Sequence, residues 1–145
     1  MDRILHTALV VAFLCAMAVP SQTASILTPQ RGSSERTMIL DAVRPTMQRE
    51  IGGDIAFKVS VIRTDGQWAF VQAVPQRPNG RAIDWAATKF ADEWRKDMMS
   101  DIVMALLQRS GQQWRVVKYV IGPTDVFWLT WASEYRLPTA LFTAE

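Results

Sequence analysis

The chain has 145 residues, a formal net charge of +2, one cysteine and one histidine. That length suits a single domain, and both His6 and Cys15 fall inside an apolar N-terminal stretch. Without those two residues, side chains alone cannot assemble a Ser-His-Asp triad, a thiol nucleophile, or a metal site with imidazole or thiolate ligands. Carboxylate, lysine, tyrosine or serine chemistry, or a bound cofactor, remains open.

The N-terminal stretch has the layout of a secretory signal peptide. Arg3 gives a weakly positive start, Ala8 to Val19 is an unbroken apolar run of 12, and the small, polar "PSQTAS" follows. Twelve apolar residues are too few to span a bilayer, which takes about 20. Cleavage is expected near Ala24 or Ser25, which makes 1–25 a removed signal, 26–33 a flexible leader and 34–145 the folded domain. Leu14 is too bulky to precede a lipidated Cys15. Arg3 and Asp2 leave together, so the net charge stays +2. An exported chain without cysteine has no disulfide and must stand on its hydrophobic core.

After the leader, Ser33 or Ser34 can cap a helix with Glu35 in its first turn. Met38, Ile39, Ala42, Val43 and Met47 recur at helical spacing. Pro45 interrupts that pattern and is expected to end or kink the helix near Arg44, with Gly52 or Gly53 as the C-cap. In "IAFKVSVIR" alternation puts Ile55, Phe57, Val59 and Val61 on one face of a strand and Lys58 and Ser60 on the other. "TDGQ" is a hairpin turn. "WAFVQAV" returns as a strand apolar on both faces, hence central or covered on both sides.

"PQRPNGR" (Pro75 to Arg81) is a loop by composition. From Asp84 to Met99 the chain reads as a loop entering a short amphipathic helix, with Phe90, Trp94 and Met98 on one face. "DIVMALLQR" and "WRVVKYVIG" flank "SGQQ" as a second hairpin, with Trp114, Val116 and Lys118 sharing one face of its last strand. Thr124 or Asp125 can cap a final helix whose residues Phe127, Trp128, Trp131, Ala132 and Tyr135 form one aromatic arc. Leu137-Pro138 ends it. The order predicts an α+β domain: a four-stranded antiparallel sheet of two hairpins, with N-terminal and C-terminal helices packed on one face.

The stretches "RTMILDAVRP", "GQWAFVQAVPQRPNG", "ALLQRSGQQWRVVKYVIGPTDVFW" and "YRLPTALF" together resemble a family of small exported proteobacterial proteins. Its members carry an ILDALRP-like helix, a WAFV-x-A-x-PQRP-x-G strand and loop, and an ALL-x-R-x-G-x-W-x-V hairpin leading into G-P-T-D-V. The resemblance covers most of the chain after the signal. It implies export and one small domain, and implies no chemistry. "ATKFADEWRKDMM" is longer than the corresponding connection, which implies an insertion. The helix-then-sheet plan is similar to cystatin-like and NTF2-like folds, which host many unrelated functions.

Four stretches are candidate sites. Asp92, Glu93, Asp97 and Asp101 could pair as acid and base, but Lys89, Arg95 and Lys96 are interleaved as on a solvated helix. Arg77 and Arg81 flank a Pro-bounded loop, and guanidinium groups suit carboxylate or phosphate partners. In "IGPTDV" a helix start could hold an anion, but Asp125 would compete for the place. Trp128, Trp131 and Tyr135 could line an apolar pocket beneath the last helix, although aromatics at helical spacing are more often core. A net charge of +2 without a basic run argues against nucleic acid. The chain thus reads as a small periplasmic or secreted protein without a cofactor or bound metal. It is expected to be a non-catalytic binding or accessory protein of the cell envelope, acting on an envelope protein or an anionic or apolar ligand through Arg77, Arg81, Trp128, Trp131 or Tyr135. The alternatives are a carboxylate-dependent hydrolase of an envelope polymer and an inhibitor of lytic enzymes.

Overall fold

A computed structural model describes residues 24–144. The apolar run, His6, Cys15 and most of the expected signal peptide lie outside the described residues. Within them the chain forms α1 (Ser34–Ile51), β1 (Ala56–Thr64), β2 (Trp68–Gln76), a 3-10 turn (Trp85–Ala87), α2 (Ala91–Arg95), β3 (Val103–Ser110), β4 (Gln113–Ile121), α3 (Trp128–Glu134) and a second 3-10 turn (Thr139–Leu141). The four strands form one antiparallel sheet in the order β1-β2-β3-β4. The α+β plan is as the sequence predicts.

The two hairpins follow from their turn residues. Asp65 Oδ1 accepts from the N–H groups of Gln67 (2.8 Å) and Trp68 (2.6 Å), and Gly66 supplies φ +89. Gly111 takes φ +61 in the second turn. β2 lies between β1 and β3, and its two faces are buried in different cores. Ala69, Val71 and Ala73 face a core built with Ile39, Val43 and Met47 of α1. Phe70, with Trp68 at its rim, faces a core built with Trp131 and Ala132 of α3 and with Leu141 and Phe142. The helices therefore cover opposite faces of the sheet, which corrects the expectation that they share one. A strand apolar on both sides needs a cover on both sides.

Bulges account for the places where simple alternation misleads. Pairing slips between Val59 and Val61, leaving Ser60 as the extra residue. Val61 then packs on the α3 side and Ile62 on the α1 side, whereas unbroken alternation puts Val61 with Val59. In β4 the slip lies opposite Leu106/Leu107. Trp114 and Val116 face α1, but Lys118 pairs with Glu134 of α3 at 3.2 Å. One extra residue moves every following side chain to the other face.

α1 begins as predicted, with Ser33 as N-cap accepting from Arg36 N–H at 3.3 Å, and ends at Gly52 with φ 87. Pro45 does not end it: the helix runs on to Ile51. A proline in a helix interior costs about 3 kcal/mol. Burial of Met47 and Ile51 beyond it, each worth about 1.5–3 kcal/mol, offsets that cost. In the 77–102 connection the helix is only Ala91–Arg95; Trp94 and Met98 are exposed, and Trp85 is the buried anchor. Trp85 meets the rings of Phe90 at 6.0 Å and Trp94 at 6.1 Å.

α3 is also shorter than predicted. Neither Thr124 nor Asp125 caps it; Asp125 Oδ1 accepts from Val126 N–H at 2.7 Å, two residues too early, and Phe127 stands at the N-cap. Phe127 leaves the aromatic arc and is exposed. The segment read as a loose leader is tied to the domain. Leu27 and Thr64 exchange both backbone hydrogen bonds, at 2.8 and 2.9 Å, and Pro29 is buried.

Candidate functional site

The sequence-predicted candidates occupy separate regions. Arg77 Nη1 donates to the carbonyls of Gly52 (2.6 Å) and Asp54 (3.1 Å), so its guanidinium closes the C-terminal end of α1. A side chain at Gly53 would meet Arg77 Nη1 at 2.8 Å. Arg81 is exposed, and its backbone N–H and C=O close the turn with Asn79 and Arg77. The two arginines therefore do different things. Trp128, Trp131 and Tyr135 pack onto the sheet: Trp128 stacks on Phe142 at 5.6 Å and Tyr135 meets Trp68 at 5.2 Å. Asp84, Asp92, Glu93, Asp97 and Asp101 are all exposed. Asp92 pairs with Arg95 at 3.2 Å, and none of these carboxylates lines the cavities described next.

What the sequence did not reveal is a groove along β1. After Leu27 pairs with Thr64, the chain leaves the strand, turns at Arg31-Gly32 and enters α1. That departure opens a cavity of about 370 Å³ between Pro29, Arg31 and Arg36 on one side and Val59 to Arg63 on the other, with Ala144 of the C-terminal segment also in its lining. A second cavity, of about 420 Å³, shares Arg31, Arg36 and Val59 and continues past Phe57 and Lys58 to Gln76. The two share that lining as one groove, and among the described residues no carboxylate lines either; a neighbouring cavity, which shares Thr28, Pro29 and Gln30 with the first, is lined by Glu35. The acidic residues in the first half of α1 are turned to other partners, Glu35 to Arg109 at 3.7 Å and Asp41 to Arg44.

The groove concentrates positive charge. Arg36 donates to Pro29 O at 3.2 Å, which fixes it against the leader. Burial, and then the charge of Arg31, pull the Arg36 guanidinium below its ordinary value. An arginine in the first helical turn also opposes the helix dipole. That placement, only three residues beyond the Ser33 cap, was the one signal in the sequence that could have located the groove. Arg63, buried beneath the leader, donates to Thr28 Oγ1 at 3.0 Å and anchors the far wall.

No protein-family model matches the chain, and no significant match was found among curated proteins or solved structures. Any functional reading therefore rests on this geometry. Among the described residues no group of three or more His, Cys, Asp or Glu side chains is placed to hold a metal ion. No helix among them is long and apolar enough to cross a membrane.

A separate polar junction ties α1 to the rest of the domain. Glu50 accepts from Lys89 Nζ and from Tyr119 OH (3.1 Å), so one carboxylate joins α1, the 77–102 connection and β4. The Lys89 hydrogen bond, and then that of Tyr119, hold it below the ordinary carboxylate value of 4.5. The folded state thus releases this proton more readily than the unfolded chain. The contribution to stability is complete above the ordinary value and is lost as pH falls through the lowered one. Denaturant midpoints between about pH 3 and about pH 6 should rise with pH in the wild type, and Glu50→Gln should flatten the acid side of that curve. An unaltered curve in the variant would show that Glu50 does not link folding to protonation.

Proposed function

We propose that the chain is an exported, non-catalytic binding protein of the cell envelope, and that it takes an anionic ligand in the groove between the leader, α1 and β1. The observation that carries this reading is the lining: Arg31, Arg36 and Lys58 converge on two adjoining cavities that, among the described residues, contain no carboxylate. Guanidinium groups bind carboxylates and phosphates through paired hydrogen bonds. The scattered, exposed carboxylates of the 84–101 stretch lend no support to the hydrolase alternative, because paired acid–base chemistry needs two of them facing one cleft, about 5–10 Å apart for glycosides. Export follows from the N-terminal layout, and N-terminal sequencing of the protein recovered from a periplasmic extract should begin near Ala24 or Ser25.

Three anionic probes test the groove: polyglutamate, a sulfated polysaccharide, and vesicles containing phosphatidylglycerol. At least one should bind, with an affinity that falls as salt rises. Arg31→Ala combined with Arg36→Ala should weaken that binding at least about tenfold, since a charge-assisted hydrogen bond contributes about 1.5–3 kcal/mol. Arg77→Ala with Arg81→Ala should leave it unchanged. The proposal fails if none of the probes binds, or if the Arg77/Arg81 pair matters and the Arg31/Arg36 pair does not.

A further inference from the structure

We infer that the ligand of this groove is an extended acidic peptide, which pairs with β1 as a fifth strand of the sheet. The inference rests on the proposed anionic groove and adds the class of partner.

The wall formed by Val59 to Arg63 is the open edge of the sheet, because β1 has β2 on one side only. The edge is competent to pair: Leu27 already exchanges two backbone hydrogen bonds with Thr64 in antiparallel sense. Backbone direction alternates along a strand. The N–H and C=O of Ile62, two residues before Thr64, therefore point the same way, into the first cavity. The leader occupies the edge at Thr64 and then leaves it, so the groove starts where that pairing stops. From Arg63 back to Phe57 the open edge runs about 20 Å at about 3.3 Å per residue, with the Ser60 bulge in its middle, so Val61 to Arg63 continue the register set at Thr64 and an added strand must follow the bulge to reach Phe57. Adding a strand to an open edge is a general mode of peptide recognition.

Charge selects among possible strands. Lys58 extends from the edge strand, while Arg31 and Arg36 stand across the groove. A second copy of β1 would bring a second set of the same cations into the groove, and like charges opposed across a strand pair repel. A cationic or neutral segment gains nothing from the arginines. A peptide with acidic residues at alternate positions places its carboxylates toward the guanidinium groups while its backbone completes the ladder. A sulfated polysaccharide or lipid headgroup meets the charge and leaves the backbone edge unpaired.

The test uses the processed protein recovered from the periplasmic extract and a fluorescent peptide in which Glu alternates with Val and Thr. The same peptide, N-methylated at every second backbone amide, serves as comparison. Anisotropy titration should show binding to the unmodified peptide, at least about a tenfold loss with the methylated one, and a similar loss for Arg31→Ala with Arg36→Ala. Hydrogen exchange should slow at Ile62 N–H when the peptide binds. Equal binding of both peptides would overturn strand pairing while leaving an anion-binding groove intact. Binding of the polysaccharide or vesicles without the peptide would do the same. Failure of every anionic probe would remove the groove and this inference together. A concentration-dependent dimer whose formation slows exchange at Ile62 would show that the edge is taken by a second copy.

Discussion

Phe142→Ala is expected to lower the stability of the domain by about 3–5 kcal/mol, the range for a fully buried Phe truncated to Ala. A domain of this size has about 5–15 kcal/mol in all, so the variant should sit near the edge of folding at 37 °C. The Phe142 ring is 2% exposed, meets Phe70 at 5.0 Å and stacks on Trp128 at 5.6 Å with an interplanar angle of 11°. Phe70 belongs to β2, so losing the ring opens a void directly against the centre of the sheet. Urea unfolding should show a lower midpoint with an unchanged slope. Phe142→Leu should cost far less, below about 1.5 kcal/mol if the site repacks. A loss under about 1 kcal/mol for the alanine variant would mean that residues 139–144 are dispensable to this core.

Gly122→Ala should cost about 2–5 kcal/mol, from about 1–2 for a left-handed backbone on an L-residue and about 1–3 for overpacking. Gly122 takes φ +70, and an added Cβ would stand 2.7 Å from Met99 Cβ, 2.7 Å from Met99 Cε and 3.2 Å from Ser100 O. The crowding is structural. Gly122 N–H donates to Ile102 O at 2.8 Å, its carbonyl accepts from Ser100 N–H at 3.2 Å, and Ser100 Oγ donates to Pro123 O at 2.6 Å. Those bonds hold the entry of β3 against the exit of β4. Gly111→Ala is the internal control: φ is +61 there but nothing lies within 4 Å, so only the backbone part of the cost should appear. If the two alanine variants lose equal stability, the Met99 contact is compliant and the crowding argument is wrong.

The strands and their turns were legible because alternation and Asp-Gly or Ser-Gly turns are local signals. β2 was readable as a two-sided strand for the same reason, since "WAFVQAV" is apolar at both parities. The sidedness of Val61 and Lys118 was not, because a bulge is set by how one strand meets the next and leaves no mark in its own residues. Pro45 misled in the other direction: its intrinsic cost is real, but Met47 and Ile51 bury enough on the far side to carry the helix through. Thr124 and Asp125 look like caps at the level of residue type, yet the helix starts at Trp128, and its first turn leads to Trp131 and Ala132 on the sheet.

The candidate site was less legible still. Arg31, Arg36 and Lys58 are spread over 28 positions, the two arginines among polar neighbours and Lys58 on the polar side of an alternating strand, and nothing local distinguishes them from solvated side chains. They converge only because Leu27 pairs with Thr64 and the chain then turns back into α1. Arg77 was conspicuous in its Pro-bounded loop, and its position reflects a structural duty toward Gly52 and Asp54.

The sheet's spatial order is also its chain order. Each strand can therefore dock on the one made just before it, with short loops to close within each hairpin, an arrangement that favours rapid assembly. The layer on the α3 face follows a different timetable. Leu141 and Phe142 come after everything they pack against, so Phe70 and Leu106 stay incompletely covered until the chain has been delivered through residue 142. A polypeptide that emerges N-terminus first would pass through a half-covered state, with one side of its sheet sealed by α1 and the other greasy and open. The interval between the synthesis of β4 and the arrival of Phe142 is then the period in which this protein most needs shielding from other chains.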